Sequence, residues 1–168
     1  MNDTYHTETR EAHGHGWTVE WTYDSDHGAP WDEEDGHGPV SDWTSRDKLP
    51  GEMVMSSDRG LRRYYDFAAA VKQARAEGWN TEPYLWRTPG MQAAAAALAD
   101  FEYLSGWCND SWHYCGITVK LHGTDFEASL WGIESECDEY HEEVIADLMA
   151  DCLRQLEANT YPVTHCGV

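Results

Sequence analysis

The chain has 168 residues, a length that suits one compact domain, and its 31 acidic and 11 basic residues give a formal charge of −20. This balance excludes DNA, RNA and anionic membrane surfaces as direct partners, because proteins that bind phosphates gather Lys and Arg. Nine Trp and nine Tyr are too many for a disordered acidic tail, so we expect a folded protein.

The N-terminal part of the chain begins with residues 1–16, which are polar without periodicity and are predicted to form a flexible arm. The alternating residues 17–23 predict a half-buried strand with its aromatic residues facing inward. Residues 24–50 then form a long acidic loop, rich in Gly, Pro and Asp, of a length that usually indicates function or mobility. Its tryptophans, Trp31 and Trp43, favour a loop that folds back onto the body.

Two short strands and a helix are predicted next. The strands, at 53–55 and 61–65, flank a tight turn. Asp66 is a suitable N-cap for a helix over 67–77, and Gly78 is a suitable residue to end it.

A second helix and a hairpin follow. Thr88 and Pro89 predict the start of a helix that continues to about Trp107, since Pro is well tolerated at the first helical position. Two strand-like runs, 112–121 and 126–133, are joined as a hairpin.

The last helix is predicted from Asp138, its cap, to about Ala158, with apolar residues at helical spacing on one face and acids largely on the other. Hairpins with segregated helices indicate an α+β fold. We therefore expect a single α+β domain over residues 17–168, with an antiparallel sheet of about four to five strands packed against two to three helices.

The cysteines and the N-terminal residues predict a cytoplasmic protein. The five cysteines are Cys108, Cys115, Cys137, Cys152 and Cys166. A secreted disulfide framework usually has an even number in a shorter chain, so we expect free thiols. The first residues lack the apolar core of a secretory signal, and no run of about 18 apolar residues would form a transmembrane helix.

Motifs for metal binding or catalysis are weak in this sequence. Cys108, His113 and Cys115 offer soft ligands, but six residues separate the two thiols, whereas structural zinc favours closer pairs. The run 32–35 lacks the alternating ligands of a calcium loop. No nucleophile elbow, P-loop or dinucleotide fingerprint is present. We therefore expect no metal, no cofactor and no catalytic residues.

Acidic residues concentrate towards both ends of the sequence, because residues 1–45 and 125–168 each carry 11 acids and one base. On the last predicted helix, Glu143, Asp147 and Asp151 recur every four residues, which places a carboxylate about every 6 Å along a ridge. Duplex DNA carries one charge per ~1.7 Å of its axis, so several ridges together would be needed to imitate a phosphate track.

Tryptophan is a common interface anchor, and an acidic rim steers a protein towards a basic patch. The predicted partner-binding residues are Trp31, Asp32, Glu33, Glu34, Asp35, Trp43, Glu139, Glu142, Glu143, Asp147 and Asp151. The expected partner is a basic nucleic-acid-binding protein or complex, and the oligomeric state stays open. Alternatively, the tryptophans pin the loop to the sheet, and the acidity serves solubility or a salty cytosol.

Several stretches have a distinctive combination of residues: 28–43 (GAPWDEEDGHGPVSDW), then 57–60 and 63–67, and later 128–135 (ASLWGIES) followed by Tyr140. Together they resemble a group of small phage and prophage proteins of unassigned function, over most of the chain. The resemblance implies a phage context. By analogy of class, small acidic phage proteins resemble anti-restriction or anti-CRISPR inhibitors, some of which imitate DNA.

The expected function is therefore that of a phage-encoded, non-enzymatic inhibitor of a host nucleic-acid-binding defence complex, acting through acidic DNA-mimic surfaces. One alternative is a small metal- or thiol-dependent enzyme that uses the region of Cys108, His113 and Cys115. The other is an accessory phage protein whose charge only gives solubility.

Overall fold

A computed structural model describes residues 3–79 and 88–160 of the chain. The chain divides into two compact units. Unit 1 comprises Met1–His27 and His113–Val168, and unit 2 comprises Gly28–Trp112. The single domain predicted over residues 17–168 stays a prediction.

The elements follow one another in an order that mixes hairpins and helices. They are β1 (Thr4–Ala12), β2 (His15–Tyr23), α1 (Pro30–Glu33), β3 (Val40–Thr44), β4 (Glu52–Asp58), β5 (Leu61–Asp66), α2 (Phe67–Glu77), α3 (Pro89–Cys108), β6 (Tyr114–Leu121), β7 (Glu127–Glu134) and α4 (Asp138–Thr160).

The predicted α+β class is confirmed. All strand pairs are antiparallel, and the strands are divided between a four-stranded sheet in the order β1-β2-β6-β7 and a three-stranded sheet in the order β3-β5-β4. Within residues 3–79 and 88–160, no helix combines the length and the apolar character that crossing a membrane requires.

Unit 1 is built from the four-stranded sheet with α4 packed on one face. Residues of β2 alternate as predicted, with Trp17 and Val19 fully buried towards α4. The buried core consists of Trp17, Val19, Trp21, Cys115, Ile117, Val119, Leu121, Ile133, Val144, Ile145, Leu148, Met149 and Cys152. Because one apolar face of α4 packs against the sheet, the acidic residues on its other faces point away from the core.

The prediction of a flexible arm over residues 1–16 was wrong where the structure describes it, because Thr4–Ala12 forms β1. A two-residue turn joins β1 to β2, and φ is 55° at His13 and 75° at Gly14. Positive φ at both central residues is what a type I′ hairpin turn requires. Most β1 residues are exposed, so the strand is held mainly by backbone pairing with β2. Its sequence therefore shows little apolar alternation, which is why the strand was not predicted.

Unit 2 packs α2 and α3 against the three-stranded sheet. The predicted helix 67–77 is confirmed: the Asp66 side chain accepts a hydrogen bond from the Ala69 amide at 2.9 Å, and Gly78 ends the helix at φ 72°. Alanines line the contact between the two helices and allow a close approach, with Ala74, Ala93 and Ala96 buried.

The acidic loop predicted at 24–50 contains regular structure, which corrects that prediction. Pro30 occupies the start of the short helix α1, and the short strand β3 pairs with β5. β3 was missed because its sequence, VSDWT, is brief and half polar. This part of the chain does fold back onto the body of unit 2.

Candidate partner-binding surfaces

The predicted partner-binding residues fall into both units. Residues 31–35 and Trp43 belong to unit 2, and the acids of α4 belong to unit 1.

The α4 ridge consists of Glu139, Glu143, Asp147 and Asp151, which lie four residues apart along the helix. The first three are exposed and Asp151 is half-buried, because the opposite face of α4 is committed to the core. Glu139 in the first turn is favoured by the helix dipole. Each further like-charged pair at this spacing destabilises a helix by about 0.2–0.5 kcal/mol.

Ion pairing leaves most of the ridge charge uncompensated. Asp151 pairs with Arg154, one turn further along the helix. Glu139, Glu143 and Asp147 form no ion pair with any residue in the described part of the chain. A basic side chain of a partner would therefore attract these carboxylates and also reduce the repulsion between them.

Glu142 belongs to the predicted set but lies off the ridge, in a two-pronged contact with Arg10 of β1. The guanidinium nitrogens donate to its carboxylate oxygens at 2.7 and 2.8 Å. These hydrogen bonds lower the pKa of Glu142. Because Arg10 compensates its charge, we leave Glu142 out of the α4 ridge.

An apolar groove, here called the α4–β7 groove, runs beside the ridge. It is a cavity of about 280 Å³ lined by Ser129, Leu130, Tyr140, Glu143, Val144, Asp147, Leu148 and Asp151. Leu130 is 41% exposed and Tyr140 is 46% exposed. Sequence reasoning missed this groove because Leu130 reads as an ordinary strand residue and Tyr140 as part of the apolar helix face.

The tryptophan box of unit 2 consists of Trp31, Trp43 and Trp107 around the guanidinium of Arg63. The Arg63 Cζ lies 5.4 Å, 4.1 Å and 5.6 Å from the centroids of Trp31, Trp43 and Trp107 respectively. The Arg63 Nε also donates to Asp42 Oδ1 at 2.5 Å. The half-buried guanidinium of Arg63, a residue of the same unit, therefore occupies the space between the three indoles.

The two predicted anchor tryptophans differ in role. Trp31 is half-buried and meets Trp107 edge to face, with ring centroids 5.3 Å apart, so it fastens α1 to the unit. Trp43 is 39% exposed and has a φ of 32°, a left-handed backbone that costs a residue with a side chain about 1–3 kcal/mol. Of the two, Trp43 is the indole available to a partner.

The acidic segment that follows Trp31 is fastened through His37. Asp32, Glu33, Glu34 and Asp35 are all exposed. His37 Nδ1 lies 2.6 Å from Asp100 Oδ1, and the other Asp100 oxygen accepts from the Gly38 amide at 2.8 Å and from the Tyr65 hydroxyl at 2.7 Å. The bond to Asp100 raises the pKa of His37. Glu34 lies 3.8 Å from the other ring nitrogen, Nε2, and adds to this effect.

The three residues named in the enzyme alternative belong to different units. Cys108 ends α3 in unit 2, whereas His113 and Cys115 belong to unit 1. Burial raises the pKa of both thiols, which works against the thiolate that nucleophilic or metal chemistry needs. No cluster of three or more His, Cys, Asp or Glu side chains in the described residues is placed to hold a metal ion. Cys166 lies outside those residues.

Comparisons with protein-family models, with curated proteins and with solved structures gave no match. The resemblance to phage proteins stays a prediction.

Proposed function

We propose that the protein binds a basic, nucleic-acid-binding host protein and occupies its nucleic-acid site as a DNA mimic. The proposed context is the host cytoplasm, where a phage-encoded inhibitor would block a defence complex of the anti-CRISPR or anti-restriction kind. The observation that carries the proposal is the α4 ridge, in which three of the four carboxylates, those of Glu139, Glu143 and Asp147, are exposed and form no ion pair within the described residues.

The spacing of the ridge supports joint action of its charges. Neighbouring carboxylates are about 6 Å apart along the axis, which is shorter than the Debye length of about 8 Å at physiological ionic strength. A basic channel would therefore experience the ridge as one charged line. Such a line raises the association rate and makes binding sensitive to salt.

The ridge also offers a reason to prefer a binding role to solubility alone. Solubility depends on net charge and is served equally by acids at any exposed position. Four acids in one row on a helix repel one another, and the same charge dispersed over other faces would avoid that repulsion. The segment 32–35, with the exposed Trp43, is proposed as a second and weaker contact surface.

Capture from host lysate, with and without duplex DNA as competitor, tests the proposal. The key variant combines Glu143→Gln, Asp147→Asn and Asp151→Asn, which keep side-chain shape and remove charge. The matched control removes three exposed charges elsewhere in unit 1, by Glu11→Gln, Asp125→Asn and Glu157→Gln. We expect the wild type to capture a basic protein, DNA to displace it, and only the ridge variant to lose the capture.

Functional inhibition gives the second readout, as the plating efficiency of a restricted phage on host cells that express each variant. The ridge variant is expected to lose protection of the phage and the control to keep it. Equal behaviour of the two variants, or capture that DNA does not disturb, would show that the ridge is not a nucleic-acid mimic.

A further inference from the structure

We propose that the α4–β7 groove is the docking site for an extended basic segment of the partner, with one large apolar side chain between Leu130 and Tyr140. Lys or Arg side chains on either side of that residue would contact the α4 ridge. This inference rests on the proposed function and specifies which part of a basic partner the protein recognises.

The apolar part of the groove is the first argument. Leu130 and Tyr140 are both more than two-fifths exposed and face a cavity whose floor includes Val144 and Leu148. At about 280 Å³ the cavity is at the lower limit of small-molecule pockets, which usually measure about 300–1,000 Å³. It therefore suits a single large side chain better than a cofactor.

The open edge of the sheet is the second argument. β7 is the last strand of its sheet, and within the described residues it pairs only with β6. Such an edge presents unpaired backbone groups that can accept an additional strand. At Gly132, where φ is 74°, the amide instead donates to Asp24 at 3.0 Å, which leaves residues 127–130 as the stretch available for pairing.

Charge decides between the possible occupants. Glu143, Asp147 and Asp151 form one rim of the groove. A second copy of this chain, itself carrying a formal charge of −20, would bring two acidic rims together, which is strongly unfavourable. In a segment that carries Lys or Arg beside an apolar residue, the basic side chains would pair with the acidic rim and the apolar side chain would pack on the floor of the groove.

A defined peptide tests the proposal, with binding to the full chain measured by fluorescence anisotropy. The probe is the labelled heptapeptide Thr-Lys-Thr-Leu-Thr-Lys-Thr, which as a strand places Lys, Leu and Lys on one face. Its control has Thr in place of Leu and the same charge. We expect the Leu peptide to bind about tenfold more tightly, as partial burial of one leucine side chain implies.

Protein variants test whether the preference for the Leu peptide arises at the α4–β7 groove. Leu130→Thr keeps a residue suited to a strand and is expected to abolish the preference for the Leu peptide. Leu61→Thr is the matched control, because Leu61 is also a strand residue and is 42% exposed, but lies in unit 2. Methylating the backbone amides of the two internal Thr residues of the Leu peptide, which lie on its other face, is expected to weaken binding at least fivefold, because an extended segment pairs through its backbone.

Three results would overturn the inference: equal binding of the two peptides, a preference that survives Leu130→Thr, or a wild-type dimer in sedimentation that Leu130→Thr dissociates. The last result would assign the groove to a second copy of the chain. If the peptide preference fails while the charge-neutral ridge variant still loses its captured protein, the groove proposal falls and the proposed function stands. If that variant keeps its captured protein, the proposed function falls.

Discussion

The α4 ridge of unit 1 and the tryptophan-acidic region of unit 2 look alike in the sequence, since both combine clustered acids with nearby aromatic residues. In the structure they differ in how their acids are arranged. The ridge acids share one helix face, whereas in unit 2 Asp42 and Glu34 contact Arg63 and His37, and the remaining acids at 32, 33 and 35 form no ion pair within the described residues. The box in unit 2 holds its own cation, Arg63, and the segment after Trp31 is fastened through His37. Three of the four ridge carboxylates have no such internal partner in the described residues. A carboxylate with a cationic partner in its own unit contributes to stability, whereas a carboxylate without one is available to bind a basic partner protein.

The largest expected effect comes from reversing charge in each region. Glu143→Lys, Asp147→Lys and Asp151→Lys together should weaken capture of a basic partner on the order of 100-fold, because close charge pairs across interfaces couple by one or more kcal/mol each. The same reversal at Asp32, Glu33 and Asp35 should weaken it less than tenfold. Quantitative capture at two salt concentrations measures both. A larger loss from the unit 2 variant would invert the comparison.

Removing the cation from the tryptophan box is expected to act on stability. Arg63→Ala leaves Asp42 without its donor and removes the cation from three indole faces, which should lower the free energy of unfolding by about 2–3 kcal/mol. Urea unfolding followed by tryptophan fluorescence measures this change. Arg62→Ala, the same substitution one residue earlier on the opposite side of β5, should cost less than about 1 kcal/mol. Equal losses would show that the box is not specifically stabilising.

A smaller effect should appear in the pH dependence of stability. Asp100 raises the pKa of His37, so protonated His37 stabilises the folded state. That contribution is fully present below the unfolded pKa of about 6.5 and is lost as pH rises through the higher folded pKa. Urea midpoints should therefore fall over this window, and His37→Gln should flatten the wild-type dependence. A variant that keeps the same slope would assign the dependence to other groups.

Local signals in the sequence predicted much of the fold, and the errors have a common cause. The cap Asp66 and the terminator Gly78 lie beside the helix they define, so α2 was predicted correctly. β1 was missed because it is held by pairing with β2 and buries little apolar surface. In unit 2, β4 and β5 were predicted and β3 was missed, and nothing local assigned these strands to a separate sheet.

The candidate site shows the same limit. The row of Glu143, Asp147 and Asp151 follows from helical spacing and was predicted, and Glu139, one turn earlier, belongs to the same row in the structure. Whether each carboxylate is compensated depends on residues distant in sequence: Arg10 reaches Glu142 across 132 positions, and Asp100 reaches His37 across 63. The α4–β7 groove depends on where a helix crosses a strand edge, which the periodicity of either element does not reveal.

The smallest expected effect concerns Arg154, which pairs with Asp151 of the ridge. In its pair with Asp151 the Arg154 side chain is exposed and the Asp151 side chain is half-buried, so solvent screens the pair and Arg154→Gln should change the free energy of unfolding by less than about 0.5 kcal/mol. It nevertheless exposes a fourth uncompensated carboxylate, and the association rate with a basic partner should rise about twofold at low salt and return to the wild-type value at high salt. Stopped-flow association at both salt concentrations, together with urea unfolding, separates the two effects. A faster rate that persists at high salt, or no change in rate at all, would mean that Asp151 does not act with the rest of the ridge, and the surface would then reduce to Glu139, Glu143 and Asp147.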